Sequence, residues 1–255
     1  MEKHLKIALR AARAANKILR AGFATNFKTK AKPGEIVANS FTKYDLLAQK
    51  AILKILNSAF PSHSYLAEEG VNLVKQSDYQ WIVDPLDGTT NFSRGLPYFS
   101  SSIALAHKGK VVLGVVALPL QNEFYWAVAK HGTFMNGRRV RVSKVSNLKA
   151  AAVDVSTIRS SRETMKKFAE TLDRLASVPT IIRVNGSVAT DLARVAGGKE
   201  DASIFHNMNA WDIAAGTLLV TEAGGKITVR DPKNPQTQVV ASNRAIHGAL
   251  LKLLK

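Results

Sequence analysis

Asp84-Pro85-Leu86-Asp87-Gly88-Thr89-Thr90-Asn91-Phe92 and, far downstream, Trp211-Asp212-Ile213-Ala214-Ala215-Gly216 hold the residue types that a divalent cation and a phosphate group together require. Asp84 and Asp87 offer hard carboxylate oxygens, and the Leu86 carbonyl between them is a further oxygen donor. Magnesium takes one or two such carboxylates, keeps waters and completes its shell with phosphate oxygens. Gly88 permits a tight turn and close backbone approach to a ligand. Thr89-Thr90-Asn91 would begin a short helical turn whose leading N–H groups, at Gly88 and Thr89, favour an anion. Alone, Asp-Gly-Thr also reads as an ordinary turn with an N-cap.

Other acids keep this segment company. In Tyr65-Leu66-Ala67-Glu68-Glu69-Gly70 the adjacent acids point in opposite directions at a strand end, so one faces the site, and Glu68 is the choice; a solvated loop tip is the competing reading. Asp45 opens an amphipathic stretch with Leu46, Leu53 and Leu56 on one apolar face and Ile52 close by, where an acid also complements a helix dipole. Asp212 precedes a small-residue apolar run and reads as an N-cap, a role that leaves one oxygen for a metal. Converging acids without cations repel one another and take up protons in a low dielectric; bound divalent ions remove that cost.

With these segments in view, the chain resembles the inositol monophosphatase family of the lithium-sensitive, magnesium-dependent phosphatase superfamily. The resemblance also takes in Thr42 to Asp45, Gly132-Thr133-Phe134-Met135-Asn136-Gly137, Ser160-Ser161-Arg162 and Arg183 to Ser187. It implies that Glu68, Asp84, the Leu86 carbonyl, Asp87 and Asp212 bind two or three magnesium ions, Asp84 bridging two, with manganese as a substitute ion and lithium as an inhibitor. It implies further that Asp45 and Thr89 position and deprotonate the attacking water, with Glu68 counted among the catalytic groups. Gly88 and Thr89 would hold the phosphate, and Ser160, Gly186 and Ser187 would line the alcohol side. Two ions about 3.5–4 Å apart would acidify that water and neutralise the phosphoryl oxygens. Phe205 stands where inositol-selective relatives carry a glutamate for a ring hydroxyl, which brings fructose-1,6-bisphosphate forward beside inositol monophosphate. Nucleotide phosphatases acting on 3′-phosphoadenosine 5′-phosphate usually carry Lys-Glu where this chain has Thr90-Asn91; that substrate and NADP are alternatives. His206 reads as a substrate contact or as a structural histidine.

The elements that must position these groups follow from periodicity. Helices are expected over 3–22, 43–59, 162–177, 187–197, 212–223 and 245–254, and strands over 80–84, 99–107, 110–118, 123–129, 151–156, 180–184, 201–205, 226–229 and 238–241. Trp81-Ile82-Val83 reads as a buried strand that Asp84-Pro85 ends. The order is α/β (α+β), and the resemblance implies a layered α-β-α-β-α sandwich, with an N-terminal half over 1–148, carrying the metal and phosphate site, and a C-terminal half over 149–255 in one compact unit.

At 255 residues and 46% hydrophobic content the chain can bury a substantial core, and it has no cysteine to serve as a nucleophile. No run approaches the roughly 18–20 apolar residues of a membrane span. The absence of a targeting signal and the metabolic role that the resemblance implies give the expectation of a cytoplasmic enzyme acting on a small phosphorylated metabolite; the resemblance alone implies a homodimer. The net charge of +17 is unusual beside an acidic site. Lys3, Lys6, Arg10, Arg13, Lys17 and Arg20 fall on one helical stripe, followed by Lys28, Lys30 and Lys32, with a second cluster at Arg138, Arg139, Arg141 and Lys144. These cations read either as the solvated face of a helix whose leucines pack inward or as a surface that steers phosphorylated substrates or weakly binds nucleic acid. The competing function class is therefore a nucleic-acid-binding protein that reuses the phosphatase fold.

Overall fold

The computed structural model describes residues 1–23, 25, 30–31, 40–157, 161–178, 180–230 and 238–255, only the backbone being described at 30, 31, 40 and 41. In chain order the elements are α1 (Glu2–Phe23), β1 (Lys30–Ala31), β2 (Ser40–Phe41), α2 (Lys43–Ala59), β3 (Ser64–Ala67), β4 (Val71–Leu73), β5 (Tyr79–Asp87) and α3 (Thr89–Ser93). The hairpin strands β6 (Ser100–His107), β7 (Lys110–Leu118), β8 (Glu123–Val128), β9 (Gly132–Met135) and β10 (Arg138–Val140) follow. The remainder is β11 (Ala152–Thr157), α4 (Arg162–Ala176), β12 (Ile181–Arg183), α5 (Val188–Ala196), β13 (Ala202–His206), α6 (Ala210–Glu222), β14 (Lys226–Arg230), β15 (Gln238–Ser242) and α7 (His247–Leu253).

Two sheets result, an eight-stranded one in the order β10-β9-β8-β7-β6-β5-β3-β4 and a five-stranded one in the order β12-β11-β13-β15-β14. Strand alternation divides the buried side chains among three interfaces. Trp81, Val83, Leu113 and Val115 meet α1 and α2 on one face of the larger sheet. Ile82, Val116 and Tyr125 meet α5 and α6 on its other face, and Phe205, Val239 and Ala241 of the smaller sheet close the same layer. Val153, Val155 and Ile204 turn outward against Leu175 of α4 and Leu250 of α7. The order of layers is α-β-α-β-α.

The short strands β3, β4, β9 and β10 escape the periodicity reading because three or four residues carry too few alternations. Two local expectations are corrected. The strand does not stop at Asp84-Pro85 but runs on to Asp87. Leu46 is not on the apolar face of α2; it is 46% exposed, and Tyr44, Ala48, Ile52 and Leu56 do the packing. In α1 the inward face is built mostly of alanines, Ala8, Ala11, Ala12 and Ala15, with Leu19, which lets the helix lie close on the sheet and α2. Gly22 rests on the Tyr44 ring, where a Cβ would come within 2.5 Å of Cδ1, so the helix end and the start of α2 are fixed together.

At the other end of α1, His4 stacks on Phe60 at 4.4 Å, Phe60 on His63 at 4.8 Å and His63 on Tyr79 at 4.8 Å, a ladder of flat rings that ties the helix to β5. Burial, and then the nearby His4 and Lys75, push the His63 imidazole down to about 4 from 6.5. Between those values the unfolded chain binds a proton that the folded ring refuses, so stability is fully present above pH 6.5 and falls as the pH drops toward 4. His63→Phe keeps a flat ring and should remove up to about 1.4 kcal/mol per pH unit of that slope. Urea midpoints measured across the window test this; identical acid limbs in the two proteins would refute it.

Candidate active site

In an ideal strand Asp84 and Asp87 face opposite sides, being an odd number of residues apart. Here Asp84 pairs with Ser102 and Asp87 with Ser100, so three steps along β5 oppose two along β6. This bulge restores the parity and brings both carboxylates to the face that looks toward α5 and α6. It also explains how Pro85 is tolerated in a central strand, since a bulge releases the ladder bond that proline cannot make. β3 runs parallel to β5 with Ala67 opposite Val83, and the Glu68 N–H donates to the Val83 carbonyl at 3.1 Å, which brings Glu68 to the level of Asp84. The Glu69 backbone is clasped by Gln49 of α2 through bonds of 3.0 and 3.1 Å.

Each aspartate has one oxygen tied to a backbone N–H. Asp84 Oδ1 accepts from Leu86 at 2.9 Å. Asp87 Oδ2 accepts from the Ala189 N–H at 2.7 Å and from Ser187 Oγ at 2.6 Å, closing the N-terminus of α5. Asp45 Oδ2 accepts from Thr42 N at 2.7 Å and Oγ1 at 2.6 Å. Asp212 Oδ2 accepts from Asn209 N at 2.7 Å. Asp212 is therefore not the N-cap of its helix but its third helical residue, closing a capping box whose cap is Asn209, and Asp45 has the same place behind Thr42. Asp45 Oδ1 and the Leu86 carbonyl both lie 3.0 Å from Thr89 Oγ1.

The acids act on one another. Burial raises the Asp84 carboxyl well above the ordinary range, and Glu68, Asp87 and Asp212 raise it further. Burial pushes Asp87 up to about 6 against the lowering effect of Ser187 and Ala189, with Glu68 adding to the rise. Asp45 also reaches about 6, again from burial first, opposed by its bonds to Thr42 and Thr89 and assisted by Glu68. Among the described residues no three acids or histidines stand together as a closed ion cage. The donors nonetheless suit a divalent cation: they are oxygens only, they share a low-dielectric volume, and the charged neighbours weighing most on Asp84 are all acids.

Gly88 caps α3 in the left-handed region, φ 91°, packed so that a Cβ would lie 3.0 Å from the Tyr98 carbonyl and 3.1 Å from Ser187 Cβ. Gly186, φ 75°, faces the Asn91 side-chain amide. Two expected substrate contacts are corrected. Ser187 is 1% exposed and its hydroxyl is engaged by Asp87 and by Thr190 at 2.7 Å, so it positions Asp87 instead of meeting a ligand. Phe205 is wholly buried between the middle helices and the smaller sheet, since β13 turns alternate side chains inward, and it presents no edge to a substrate. His206 is 2% exposed and bonds Thr171 Oγ1 at 3.0 Å, a structural histidine. Ser160, Lys28 and Lys32 lie outside the described residues.

A polar network beside the site went unnoticed in the sequence. Asn91 Nδ2 donates to the Tyr98 and Asn185 carbonyls, each at 2.8 Å, joining α3 to the loop before α5. Tyr98 Oη donates to Asp191 Oδ1 at 2.6 Å, Ser156 Oγ to Asp191 Oδ2 at 3.2 Å, and Asn185 Nδ2 to Asp154. Burial, then Asp191 and Glu200, push Asp154 up to about 9. The available signal was an acid inside an apolar strand, Ala152-Val153-Asp154-Val155, and another inside the apolar helix α5.

A profile of the inositol monophosphatase family matches residues 1–255. The chain is 38% identical over 232 residues to the Nus factor SuhB of Pasteurella multocida, covering 89% of this chain and 85% of that protein. It is 37% identical over 216 residues to the fructose-1,6-bisphosphatase/inositol-1-monophosphatase of Thermotoga maritima, covering 84% and 81% respectively. The crystal structure of the extragenic suppressor protein suhB from Bartonella henselae superposes with a TM-score of 0.92 at 33% identity, covering 98% of both chains. On these matches the chain belongs to the inositol monophosphatase family of phosphoric monoester hydrolases.

Proposed function

We propose that the protein hydrolyses a small sugar or polyol phosphate with magnesium ions held by Glu68, Asp84, the Leu86 carbonyl, Asp87 and Asp212. The observation that carries this reading is the β5 bulge, which gathers two aspartates beside Glu68 and Asp212 in a buried volume where burial and then the neighbouring acids raise the Asp84 carboxyl. Magnesium supplies charge neutralisation at the phosphoryl oxygens and acidifies the attacking water. The chain's own residues supply the rest. Asp45 Oδ1, held by its capping box, accepts a proton from Thr89 Oγ1, which in turn takes one from the water. The Gly88 and Thr89 N–H groups hold the phosphate at the start of α3. Phe205, turned into the core, offers no carboxylate for an inositol ring hydroxyl, which keeps fructose-1,6-bisphosphate beside inositol monophosphate as a substrate. The Thermotoga maritima relative is named for both substrates. A second reading, nucleic-acid binding, draws on the net charge of +17 and on the relative named as a Nus factor.

Phosphate release from inositol monophosphates, fructose-1,6-bisphosphate, 3′-phosphoadenosine 5′-phosphate and NADP, with and without magnesium and with lithium, tests the reaction. Magnesium-dependent, lithium-sensitive release from a sugar or polyol ester is expected, and Asp87→Asn should lower it by at least about 100-fold. Silence across the panel from folded protein would overturn the reading. Ion binding has its own readout in stability. In chelator at pH 8, Asp84→Asn should melt higher than the unsubstituted protein, by about 2–4 °C for each kcal/mol relieved, because a buried carboxyl that burial and three acidic neighbours oppose is gone. With magnesium present the order should reverse, and an order unchanged by magnesium would remove Asp84 from the ion site.

A further inference from the structure

The far side of the larger sheet, away from Asp84, carries an open cavity of about 430 Å³ lined by Arg13, Asn16, Lys17, Arg20, Asn122 and Phe124. Its lining holds three cations and no acid, and the cations sit on successive turns of α1 with their side chains exposed. The Arg13 guanidinium lies over the Phe124 ring at 5.5 Å. Asn16 is 5% exposed, and its Oδ1 has no hydrogen-bond partner.

The aromatic surface does not end at Phe124. Trp126 is the next residue on the same face of β8, and it stacks on Phe134 of β9 at 4.3 Å with the rings 11° apart. Both rings are partly exposed. In the strand register Trp126 stands opposite Phe134, and Phe134 opposite Arg139 of β10, so a cation ends the row. Arg139 folds flat across β9 over Gly132, where a Cβ would lie 2.8 Å from its guanidinium. From Trp126 to Arg139 the row crosses two strand spacings, roughly 10 Å, before the α1 cations are added. That length exceeds one phosphate and suits a polymer that alternates phosphate with a flat ring.

From this geometry we infer that the face formed by α1, β8, β9 and β10 binds single-stranded nucleic acid, with Arg13, Lys17, Arg20 and Arg139 on the phosphates and bases stacked on Trp126 and Phe134. Cations flanking partly exposed aromatic rings are what sequence-tolerant single-strand binding uses, because every base has a π-face and every linkage a charge. The inference deepens the second reading above by naming where and how the strand is held; it is independent of phosphatase chemistry, which lies on the opposite face of the sheet.

The test is fluorescence anisotropy of a labelled oligouridylate over a series of salt concentrations, using the whole protein. Binding should weaken with salt at a logarithmic slope of about −2 to −3, the signature of three or four single-strand phosphate contacts. Arg13→Ala and Arg139→Ala, both at exposed positions, should each make the slope shallower by about 0.7. Phe134→Leu should weaken binding about five-fold or more at unchanged slope. Lys252→Ala, on α7 in the opposite outer layer, should change nothing, and duplex of the same length should bind more weakly. Absence of binding would overturn both this inference and the second reading. Binding with a normal salt slope that none of the three variants alters would overturn this surface while leaving nucleic-acid binding in place. Equal affinity for duplex would overturn the stacking.

Discussion

Everything in the candidate site depends on how one oxygen of each aspartate is immobilised by a backbone N–H. Asp45, Asp87 and Asp212 are anchored at the starts of α2, α5 and α6, and Asp84 at the bulge of β5. A backbone donor at a helix start is both positively polarised and rigid, so it stabilises the charged carboxylate and fixes its direction at once. Such bonds oppose what burial does, and the balance differs from group to group. Asp45 and Asp87, with several donors, rise only to about 6, whereas Asp84, with one backbone donor and three acidic neighbours, is driven well above its ordinary range. The strain is therefore concentrated on the residue that the ion reading places between two cations.

The layering follows from the same requirement. Helix starts can converge on one strand end only if helices flank the sheet on both sides. α2 comes from the outer layer, and α5 and α6 fill the layer between the sheets. Ser102 of β6, opposite Asp84, bonds the Trp211 carbonyl at 3.3 Å, so the start of α6 is held against the strand that pairs with the bulge. Gly216 of α6 meets Leu192 of α5, where a Cβ would lie 2.6 Å from the Leu192 side chain, and this close approach brings the two helix starts together. The five-stranded sheet closes the middle layer, which is why a fold with a small site needs so large a scaffold.

The element types and the acids were legible in the sequence because they rest on local patterns: the 3.6-residue period of α2 and α4, the small-residue apolar run of α6, the alternation of β6 to β8, and acids at the ends of apolar runs. The bulge was not legible, since proline in a strand ordinarily ends it and only the partner's register shows that one residue is extra. Cap positions were misassigned by three residues at Asp212 because an acid at the third helical position and an acid at the cap share the same flanking pattern. Phe205 and Ser187 were taken for substrate contacts from their place in a resembling stretch, but facing and accessibility are tertiary properties. Their side chains turn into the core and toward Asp87, where residue type alone gives no sign of it.

The distribution of charge has a physical logic of its own. The α1 stripe and the β10 arginines give the outer surface its excess, while Asp84, Asp87 and Asp212 face the middle layer behind a complete β-sheet. At physiological ionic strength surface charges are screened beyond about 8 Å, so cations across the sheet draw anions toward the molecule but add little to the balance at the buried acids. The arginines nearest the middle layer are already committed: Arg183 pairs with Glu200, and the Arg194 guanidinium lies 4.9 Å over the Tyr98 ring. Among the charged neighbours that weigh most on Asp84, all are acids, so a chain with a large net positive charge keeps a locally acidic site. Hard cations are the charges that such a buried set of carboxylate oxygens suits, and under the proposed reading the same acidic volume that raises the Asp84 carboxyl would favour both a divalent ion and a phosphate ester whose oxygens complete its shell.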